Sequence, residues 1–211
     1  MGEKYFCKKY PEANTSFNPL GSADYGQKNA KSGVIIRIAS CSTVYPLKRV
    51  DLIYESIKTF AENNKGQKIE WTHMGGGPSF EELKTLVEEN APSNLLVHLL
   101  GNLDHKQVIE CYRNCSFDLF INLSTNEGVP VSIMEAISFD IPVIATNVGG
   151  NSEIAKDGAG MLVSANPSPL EVSTKISGIL VRTNTPRLFW NENYNAAKNY
   201  TEFANMLKSL I

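Results

Sequence analysis

The stretch GVIIRIASC (residues 33–41) is short, rich in β-branched residues and apolar on both faces, which is typical of a buried strand. It is followed by RVDLIYESIKTFAEN (residues 49–63), in which Val50, Ile53 and Ile57 recur at helical spacing. A strand that leads into a helix is the first part of a βαβ unit. These two segments therefore indicate an α/β fold.

The same alternation of strand and helix continues along the rest of the chain. Further predicted strands are IEWTHM, LLVHLL, FDLFINLS, PVIATN and MLVS, at residues 69–74, 95–100, 117–124, 142–147 and 161–164. Helices are predicted at FEELKTLVEEN, HKQVIECYRNC, PVSIMEAISF, NSEIAKDG and LEVSTKISGILV, and in the tail that contains WNENYNAAKNYTEF. Apolar strands separated by helices of about ten to fifteen residues form parallel sheets that are covered on both faces. The sequence thus predicts an α/β fold with a doubly wound, Rossmann-like parallel sheet of about six strands.

Composition limits the classes of function. With 211 residues, 42% of them hydrophobic, the chain can bury one sizeable core. Its net charge of −2 gives no global basic field, so nucleic acid is not an expected partner. No apolar run reaches the roughly 18 residues of a membrane span, and the N-terminus lacks the apolar core of a secretion signal. We therefore expect a cytoplasmic protein.

The cysteines and histidines carry little metal-binding signal. The cysteines include no CxxC pair, and Cys111 and Cys115 lie four residues apart without companion ligands. Free thiols in a reducing compartment are the favoured interpretation, and no metal is expected. His73, His98 and His105 are scattered along the chain, and we predict that all three are ordinary core or surface residues.

Residues 1–32 differ in character from the rest of the chain. They are polar and rich in turn-forming residues such as Pro11, Pro19 and Gly21. This composition predicts a connector rather than a packed unit. Residues 33–211 form the predicted domain, and its tail helices are expected from about residue 186.

The strongest functional signal is the segment STNEGVPVSIMEA (residues 124–136). Gly128 follows a predicted strand, where a missing side chain lets backbone N–H groups approach an anion at a helix N-terminus. Pro130 suits the first turn of that helix. Glu135 lies further inside the helix, among apolar residues, and is predicted to be buried. Because a buried carboxylate is costly unless it accepts hydrogen bonds, its partner is either a protein group, such as a backbone N–H or a lysine, or the vicinal hydroxyls of a sugar.

A second carboxylate, Glu127, stands eight positions before Glu135 and completes the pattern E-G-x-P-x-x-x-x-E. This pattern resembles the paired-glutamate motif of retaining glycosyltransferases with the GT-B fold. The segment PVIATNVGGNSEI (residues 142–154) is similar to the strand, Gly-Gly turn and short helix of that family. The segments HMGGGPSFEEL and LLGNLDHKQV (residues 73–83 and 99–108) resemble its Gly-x-Gly-Pro turn and its base-reading loop.

The segment STVYPLKRVDLI (residues 42–53) resembles the Gly-Arg-Leu-x-x-x-Lys segment of the same family. Ser42 and Thr43 stand where the family has Gly and Arg, so one of two customary phosphate cations is missing. Arg49 is not expected to replace it. Lys48 lies at the start of a predicted helix, where a cation opposes the helix dipole unless an anion binds there. A diphosphate is the guest that this position favours.

The tail carries a further likeness. The stretch FWNENYNAAKNYTEF resembles the end of bacterial surface-polysaccharide glycosyltransferases. Its aromatic residues are predicted to be packing anchors rather than a platform for a sugar; they are Trp190, Tyr194, Tyr200 and Phe203.

The resemblance implies that the chain is the C-terminal, donor-binding half of a GT-B enzyme. Residues 1–32 would be the inter-domain connector, and the N-terminal acceptor domain would lie outside the chain. The complete enzyme would be a hexosyltransferase that takes a sugar from a nucleotide diphosphate with retained anomeric configuration, without a metal or another cofactor. A UDP-sugar is the favoured donor and a GDP-sugar the alternative. The implied catalytic residues are Glu127 and Lys48, and the implied donor-binding residues are Glu135, Gly128, Val129, Pro130, Asn126, Thr125, Leu103, Gly75 and Gly76.

The resemblance also implies partners and a location. The partners would be a nucleotide sugar and the acceptor domain, with peripheral membrane association of the full-length protein at the cytoplasmic face during surface polysaccharide biosynthesis. The chain alone is expected to be inactive. Two other functions stay open. One is a non-catalytic nucleotide-binding or interaction module, which Thr43 favours; the other is a sugar-nucleotide epimerase or phosphorylase of GT-B fold, which needs side chains that the sequence does not display.

Overall fold

Six strands form one parallel sheet within the residues that the structure describes. The structure is a computed structural model, and it describes residues 2–13, 15, 18–26, 33–156 and 158–209. The strands are β1 (Ile35–Cys41), β2 (Lys68–Met74), β3 (Leu95–Leu99), β4 (Leu119–Asn122), β5 (Val143–Thr146) and β6 (Gly160–Val163). They lie in the order β3-β2-β1-β4-β5-β6, and every pair of neighbours is parallel. The predicted doubly wound α/β sheet is confirmed.

Helices connect the strands and continue into the tail. The α-helices in the described part of the chain are α1 (Gly2–Lys9), α2 (Val50–Asn63), α3 (Phe80–Asn90), α4 (His105–Asn114), α5 (Val131–Ser138), α6 (Asn151–Ile154), α7 (Pro169–Leu180), α8 (Pro186–Asn193) and α9 (Ala196–Lys208). A 3₁₀ turn, Pro46–Lys48, precedes α2. None of these helices is both long and apolar enough to cross a membrane.

The sheet is buried on both faces because its strands are apolar on both faces. Neighbouring residues of β1 point to opposite sides, as the two-residue period of a strand requires. Ile38 belongs to the hydrophobic cluster shared with α2, α3 and α7, whereas Ala39 belongs to the cluster shared with α4, α5 and α8. In β4, Ile121 and Phe120 divide in the same way. This two-sided burial fixes the sheet between its helices and leaves the loops at its carboxyl edge free to carry function.

Residues 18–26 pack against the tail helices. The Ser22 backbone pairs with Asn195, and the Ser22 hydroxyl accepts a hydrogen bond from the indole N–H of Trp190 at 2.8 Å. Asp24 forms an ion pair with the guanidinium of Arg187 at 2.9 Å. The beginning and the end of the described chain therefore hold each other in place.

The composition of residues 1–32 predicts a connector rather than a packed unit, but residues 18–26 do pack against the tail helices. Trp190 follows Ser22 by 168 positions, and local composition carries no information about so distant a partner. The same region also contains the helix α1, which was not predicted. Residues 27–32 lie outside the described residues, and the role of residues 1–32 as an inter-domain connector stays a prediction.

The tail aromatics behave differently from one another. Trp190 is fully buried and Tyr194 is partly buried, as predicted for packing anchors. Tyr200 and Phe203 are 48% and 40% exposed, so the prediction is wrong for these two. The reason is that α9 projects most of its surface to solvent and buries chiefly Asn199.

Replacement of Trp190 tests the packing of the tail. Trp190→Ala removes a fully buried indole and its hydrogen bond to Ser22, so the free energy of unfolding should fall by about 3–5 kcal/mol. Tyr200→Ala is the matched control, and it should change that free energy by less than about 0.5 kcal/mol because the ring is exposed. Urea denaturation followed by circular dichroism measures both. Equal losses in the two variants would contradict this packing.

Candidate functional site

The site lies where the strand order of the sheet reverses. Neighbours β1 and β4 have two strands, β2 and β3, between them in sequence, and the loops that follow β1 and β4 leave the sheet side by side. In open parallel sheets this reversal creates the crevice in which ligands bind, beyond the carboxyl ends of the strands. Lys48 comes from the loop after β1 and Glu127 from the loop after β4. The Lys48 ammonium donates to Oε1 of Glu127 at 2.6 Å across this crevice.

Arg49 ties the two loops together. Its backbone adopts the left-handed conformation, with φ 47° and ψ 46°, between the 3₁₀ turn and α2. Its guanidinium donates to the backbone carbonyls of Leu123, Ser124 and Ala165, at 2.6, 3.2 and 2.9 Å. These contacts hold the guanidinium against the backbone carbonyls of the loops after β4 and β6.

Glu127 is held as a carboxylate by three donors. Its Oε1 accepts hydrogen bonds from Lys48 at 2.6 Å, from the Ser124 hydroxyl at 2.6 Å and from the Asn122 amide at 3.3 Å. Burial alone would raise the pKa of Glu127, but these hydrogen bonds outweigh it and leave the pKa below its usual value. Oε2 accepts no hydrogen bond from any described residue, so it remains available to a hydroxyl donor.

The Gly149–Gly150 turn after β5 supports the Glu127 loop. The backbone N–H of Gly150 donates to the carbonyl of Glu127 at 3.0 Å. A Cβ atom on Gly149, whose φ is +44°, would lie 1.9 Å from that carbonyl oxygen, and one on Gly150 would lie 2.0 Å from the carbonyl oxygen of Gly128. These two glycines are therefore required because two backbones cross in contact.

Glu135 is buried in α5, as predicted, with 6% of the residue exposed. Its partner is neither a backbone N–H nor a lysine. It is His105, whose Nε2 lies 2.7 Å from Oε1 of Glu135. Burial raises the pKa of Glu135, and the hydrogen bond and charge of His105 oppose that rise without cancelling it.

The three histidines match the prediction of core or surface residues. His73 is fully buried beside Ser40, and burial lowers its pKa to about 4. His98 is exposed on β3, and His105 is exposed at the start of α4. The contact of His105 with Glu135 is a feature that the sequence did not predict. The available signal was its position, because His105 begins α4 directly after the loop from β3, at the same edge of the sheet as the other site residues.

A pocket of about 390 Å³ opens beside the Glu127 loop. Pro130 is the N-cap residue of α5 rather than a residue of its first turn, and Gly128 and Val129 before it are exposed. The lining is mainly apolar, and its polar side chains include the carboxylates of Glu127 and Glu153 and the amide of Asn18. It consists of Asn18, Pro19, Leu20, Glu127, Gly128, Val129, Pro130, Met134, Gly149, Gly150, Glu153, Ile154 and Tyr194.

Two predicted donor-binding residues lie next to this pocket but do not line it. The backbone N–H of Thr125 donates to the carbonyl of Leu47 at 2.8 Å, so Thr125 joins the β4 loop to the β1 loop. Asn126 is exposed. Both residues therefore belong to the rim of the crevice.

A smaller pocket of about 220 Å³ lies on the other side of the reversal and brings Gly75, Gly76 and Leu103 together. The two glycines have packing reasons of their own. A Cβ atom on Gly75 would lie 2.0 Å from the carbonyl oxygen of Ser42, and the N–H of Gly76 donates to the Asn102 side chain at 3.0 Å. The two pockets lie along one edge of the sheet. Glu135 and Lys48 are in neither lining, but Lys48 contacts the lining residue Glu127.

No cluster of three or more histidine, cysteine or acidic side chains that could hold a metal ion occurs in the described ranges. The four cysteines are free thiols. The charged groups at this edge are the carboxylates of Glu127, Glu135 and Glu153 and the ammonium group of Lys48, and the backbone at Gly128 and Val129 lies in exposed residues.

The fold, with its site at the carboxyl edge of the sheet, indicates a class of protein. The parallel sheet is the Rossmann-like unit from which the two halves of GT-B glycosyltransferases are built, and solved enzymes of that class share it. The chain belongs to the family Glycosyl transferases group 1, whose sequence profile matches residues 25–196.

One relative agrees with this membership, and two solved structures share the fold. Protein CapJ of Staphylococcus aureus is 31% identical over 156 residues, which cover 72% of this chain and 38% of CapJ. The lipopolysaccharide outer core galactosyltransferase WaaB superposes with a TM-score of 0.74 at 14% identity, over 99% of this chain and 59% of WaaB. Anabaena Alr3699/HepE, solved with UDP and glucose, gives a TM-score of 0.66 at 16% identity, over 82% of this chain and 48% of its own. The chain thus spans less than two thirds of each of these proteins.

Substitution of Gly149 tests how the site is built. Gly149→Ala places a Cβ atom 1.9 Å from the Glu127 carbonyl oxygen at a positive φ, so strain alone should lower the free energy of unfolding by about 1–3 kcal/mol. Gly66→Ala is the matched control, because a Cβ atom there meets nothing within 4 Å. Thermal and urea unfolding compare the two variants. A Gly149→Ala protein as stable as the Gly66→Ala protein would show that the turn does not pack on the Glu127 loop.

Proposed function

We propose that the chain is the donor-binding domain of a retaining glycosyltransferase and that it binds a nucleotide-diphosphate sugar along the carboxyl edge of its sheet. One observation carries the proposal. Two glutamates eight positions apart provide an ionised carboxylate at the larger pocket and a buried carboxylate in α5, at the point where the strand order reverses. A stable fold gains nothing from a buried carboxylate, whereas a hydroxyl-rich ligand gains fixed acceptors.

Each part of the donor has a matching group along this edge. The base would enter the smaller pocket beside Leu103, near Gly75 and Gly76, and the ribose hydroxyls would donate to Glu135. The diphosphate would meet the Lys48 ammonium and the exposed backbone at Gly128 and Val129. The sugar would fill the pocket of about 390 Å³, whose size suits a small ligand.

Lys48 and Glu127 would have different roles in sugar transfer. Lys48 would offset the charge that develops on the leaving diphosphate, which is electrostatic stabilisation of a transition state. Oε1 of Glu127 holds the Lys48 ammonium at 2.6 Å, and its second oxygen would accept a hydroxyl of the sugar. The glutamate pair would not act as the acid and nucleophile of a glycosidase, because such a pair flanks one bond whereas Glu135 belongs to the ribose end of the donor.

The relatives support the choice of donor and pathway. HepE is solved with UDP and glucose, which supports a UDP-sugar as the donor, with a GDP-sugar as the alternative. The name of WaaB refers to the lipopolysaccharide outer core, which supports a role in bacterial surface polysaccharide biosynthesis. We propose that the full-length protein acts at the cytoplasmic face of the membrane. We propose that no metal takes part. We also propose that transfer needs an N-terminal acceptor domain, joined through residues 1–32, so that this chain alone is inactive.

A second candidate function is nucleotide binding without transfer. It is favoured by Thr43, which stands where the family has an arginine, and by the occupation of Arg49 with backbone carbonyls. The site would then hold the donor but stabilise the leaving diphosphate through Lys48 alone. Sugar transfer by the protein joined to its acceptor domain, followed by NMR of the anomeric proton, separates the two functions and tests retention.

Calorimetric titration with UDP, GDP and ADP, and then with their sugar conjugates, tests donor binding directly. We expect one nucleotide to bind selectively. Glu135→Ala should weaken that binding about tenfold or more, because it removes a charged acceptor for two hydroxyls. Glu89→Ala is the matched control, since Glu89 is an exposed glutamate in α3, and it should bind as the unmodified protein does.

Two results would count against this function. If the unmodified protein binds none of the nucleotides, the donor site is not functional in this chain. If Glu135→Ala unfolds the domain but leaves the affinity of the folded fraction unchanged, Glu135 has a structural role only.

A further inference from the structure

We infer that His105 is a positioning residue that holds the Glu135 carboxylate in the orientation that receives the ribose hydroxyls. This inference rests on the proposed function and extends it to a residue outside the paired-glutamate motif. Its basis is the contact of 2.7 Å between His105 Nε2 and Glu135 Oε1, which joins the start of α4 to the second turn of α5.

The imidazole is fixed by its own surroundings. His105 is the first residue of α4, and a reciprocal capping box holds the helix start: the Asp104 carboxylate accepts the Gln107 backbone N–H at 2.8 Å, and the Gln107 side chain accepts the Asp104 N–H at 2.8 Å. The ring of Tyr25 meets the imidazole edge-on, with centroids 5.6 Å apart. Arg113 in turn donates to the Tyr25 carbonyl at 3.2 Å. The donor atom therefore has a defined position before any ligand arrives.

The contact leaves Glu135 able to accept more hydrogen bonds. A carboxylate has about four acceptor positions, and His105 occupies one of them on Oε1. Oε2 accepts no hydrogen bond from the described part of the chain. Two vicinal hydroxyls can thus donate to Glu135 while the histidine remains in place. Without His105 the same carboxylate would be desolvated and free to change rotamer, so ligand binding would have to order it.

The other ionisable groups around Glu135 do not compete with His105. Cys41 on β1 and Tyr112 on α4 both feel the charge of Glu135. Burial raises the pKa of Cys41 to about 12 and raises that of Tyr112 well above its usual value, so both stay neutral at physiological pH. Glu135 has no other ionisable residue on α5, and Asp104 is engaged in the helix cap. His105 is therefore the ionisable group that affects the orientation and the pKa of the Glu135 carboxylate.

The pH dependence of binding follows from the same contact. Glu135 accepts from the ribose as a carboxylate, so binding is lost as the pH falls through the pKa of Glu135. Burial raises this pKa and the hydrogen bond from His105 lowers it. Removal of His105 leaves burial unopposed, and the acid limit of nucleotide binding must then move to higher pH.

The test is calorimetric titration from pH 5 to pH 8 with the nucleoside diphosphate that the unmodified protein binds. His105→Ala should weaken binding about tenfold at pH 7 and move its acid limit upward. His105→Gln places an amide N–H near the position of Nε2, and it should keep the affinity to within about threefold. His98→Ala is the matched control, because His98 is an exposed histidine on β3. Circular dichroism checks that every variant is folded at the temperature of the titration; because the His105 side chain is 59% exposed, its replacement should leave the packing of the core intact.

The outcomes separate this inference from the proposed function. If Glu135→Ala loses binding while His105→Ala binds as the unmodified protein does at every pH, the inference fails and the proposed function stands. The inference also fails if His105→Gln loses as much affinity as His105→Ala, or if the acid limit does not move. If the unmodified protein binds no nucleotide, the proposed function fails and the inference fails with it.

Discussion

The reversal of strand order between β1 and β4 is the constraint on which the rest of this structure depends. Because both strands are parallel and adjacent, the loops that follow them leave the sheet at the same edge and in contact. Arg49 joins these loops through backbone carbonyls, and Lys48 meets Glu127 in the space between them. The two pockets lie on either side of this junction. A single feature of topology thus decides where charge, backbone donors and cavities come together.

Burial of the Glu135 carboxylate costs free energy of folding. Its burial in an apolar helix raises its pKa, and the contact with His105 offsets only part of that effect. Sites that break the rules of a stable core are expected where a protein performs its function. Glu127 differs from Glu135, because three donors to its Oε1 outweigh the effect of burial and keep its pKa below the usual value. Both carboxylates keep one oxygen that can still accept hydrogen bonds from a ligand.

The regular elements could be predicted because their signals are local. Apolar periodicity gave α3 its bounds at residues 80–90, and the spacing of Glu127 and Glu135 drew attention to the helix that follows β4. Contacts between distant segments could not be predicted in this way. The pairing of His105 with Glu135 depends on how α4 and α5 pack on the sheet. The left-handed backbone of Arg49 accompanies contacts of its side chain with carbonyls that are distant in sequence.

At the two ends of the described chain, too, local sequence signals do not predict which distant residues are in contact. Trp190 and Tyr200 carry similar sequence signals, yet the first is buried against residues 18–26 and the second faces solvent. A helical pattern identifies an apolar side chain but not the surface that covers it. In the sequence, Gly75 and Gly149 indicate loops. The structure requires glycine at both positions because another backbone passes too close to leave room for a Cβ atom.

Mapping of amide chemical shifts on the ¹⁵N-labelled 23.3 kDa chain during titration with UDP tests the central claim, that the nucleotide binds along the carboxyl edge of the sheet. We predict that the largest changes fall on Leu103, Gly128 and Val129, at the two pockets on either side of the strand reversal. Largest changes at the separate cavity lined by Arg37 and Cys115, or no changes at the carboxyl edge, would contradict the account.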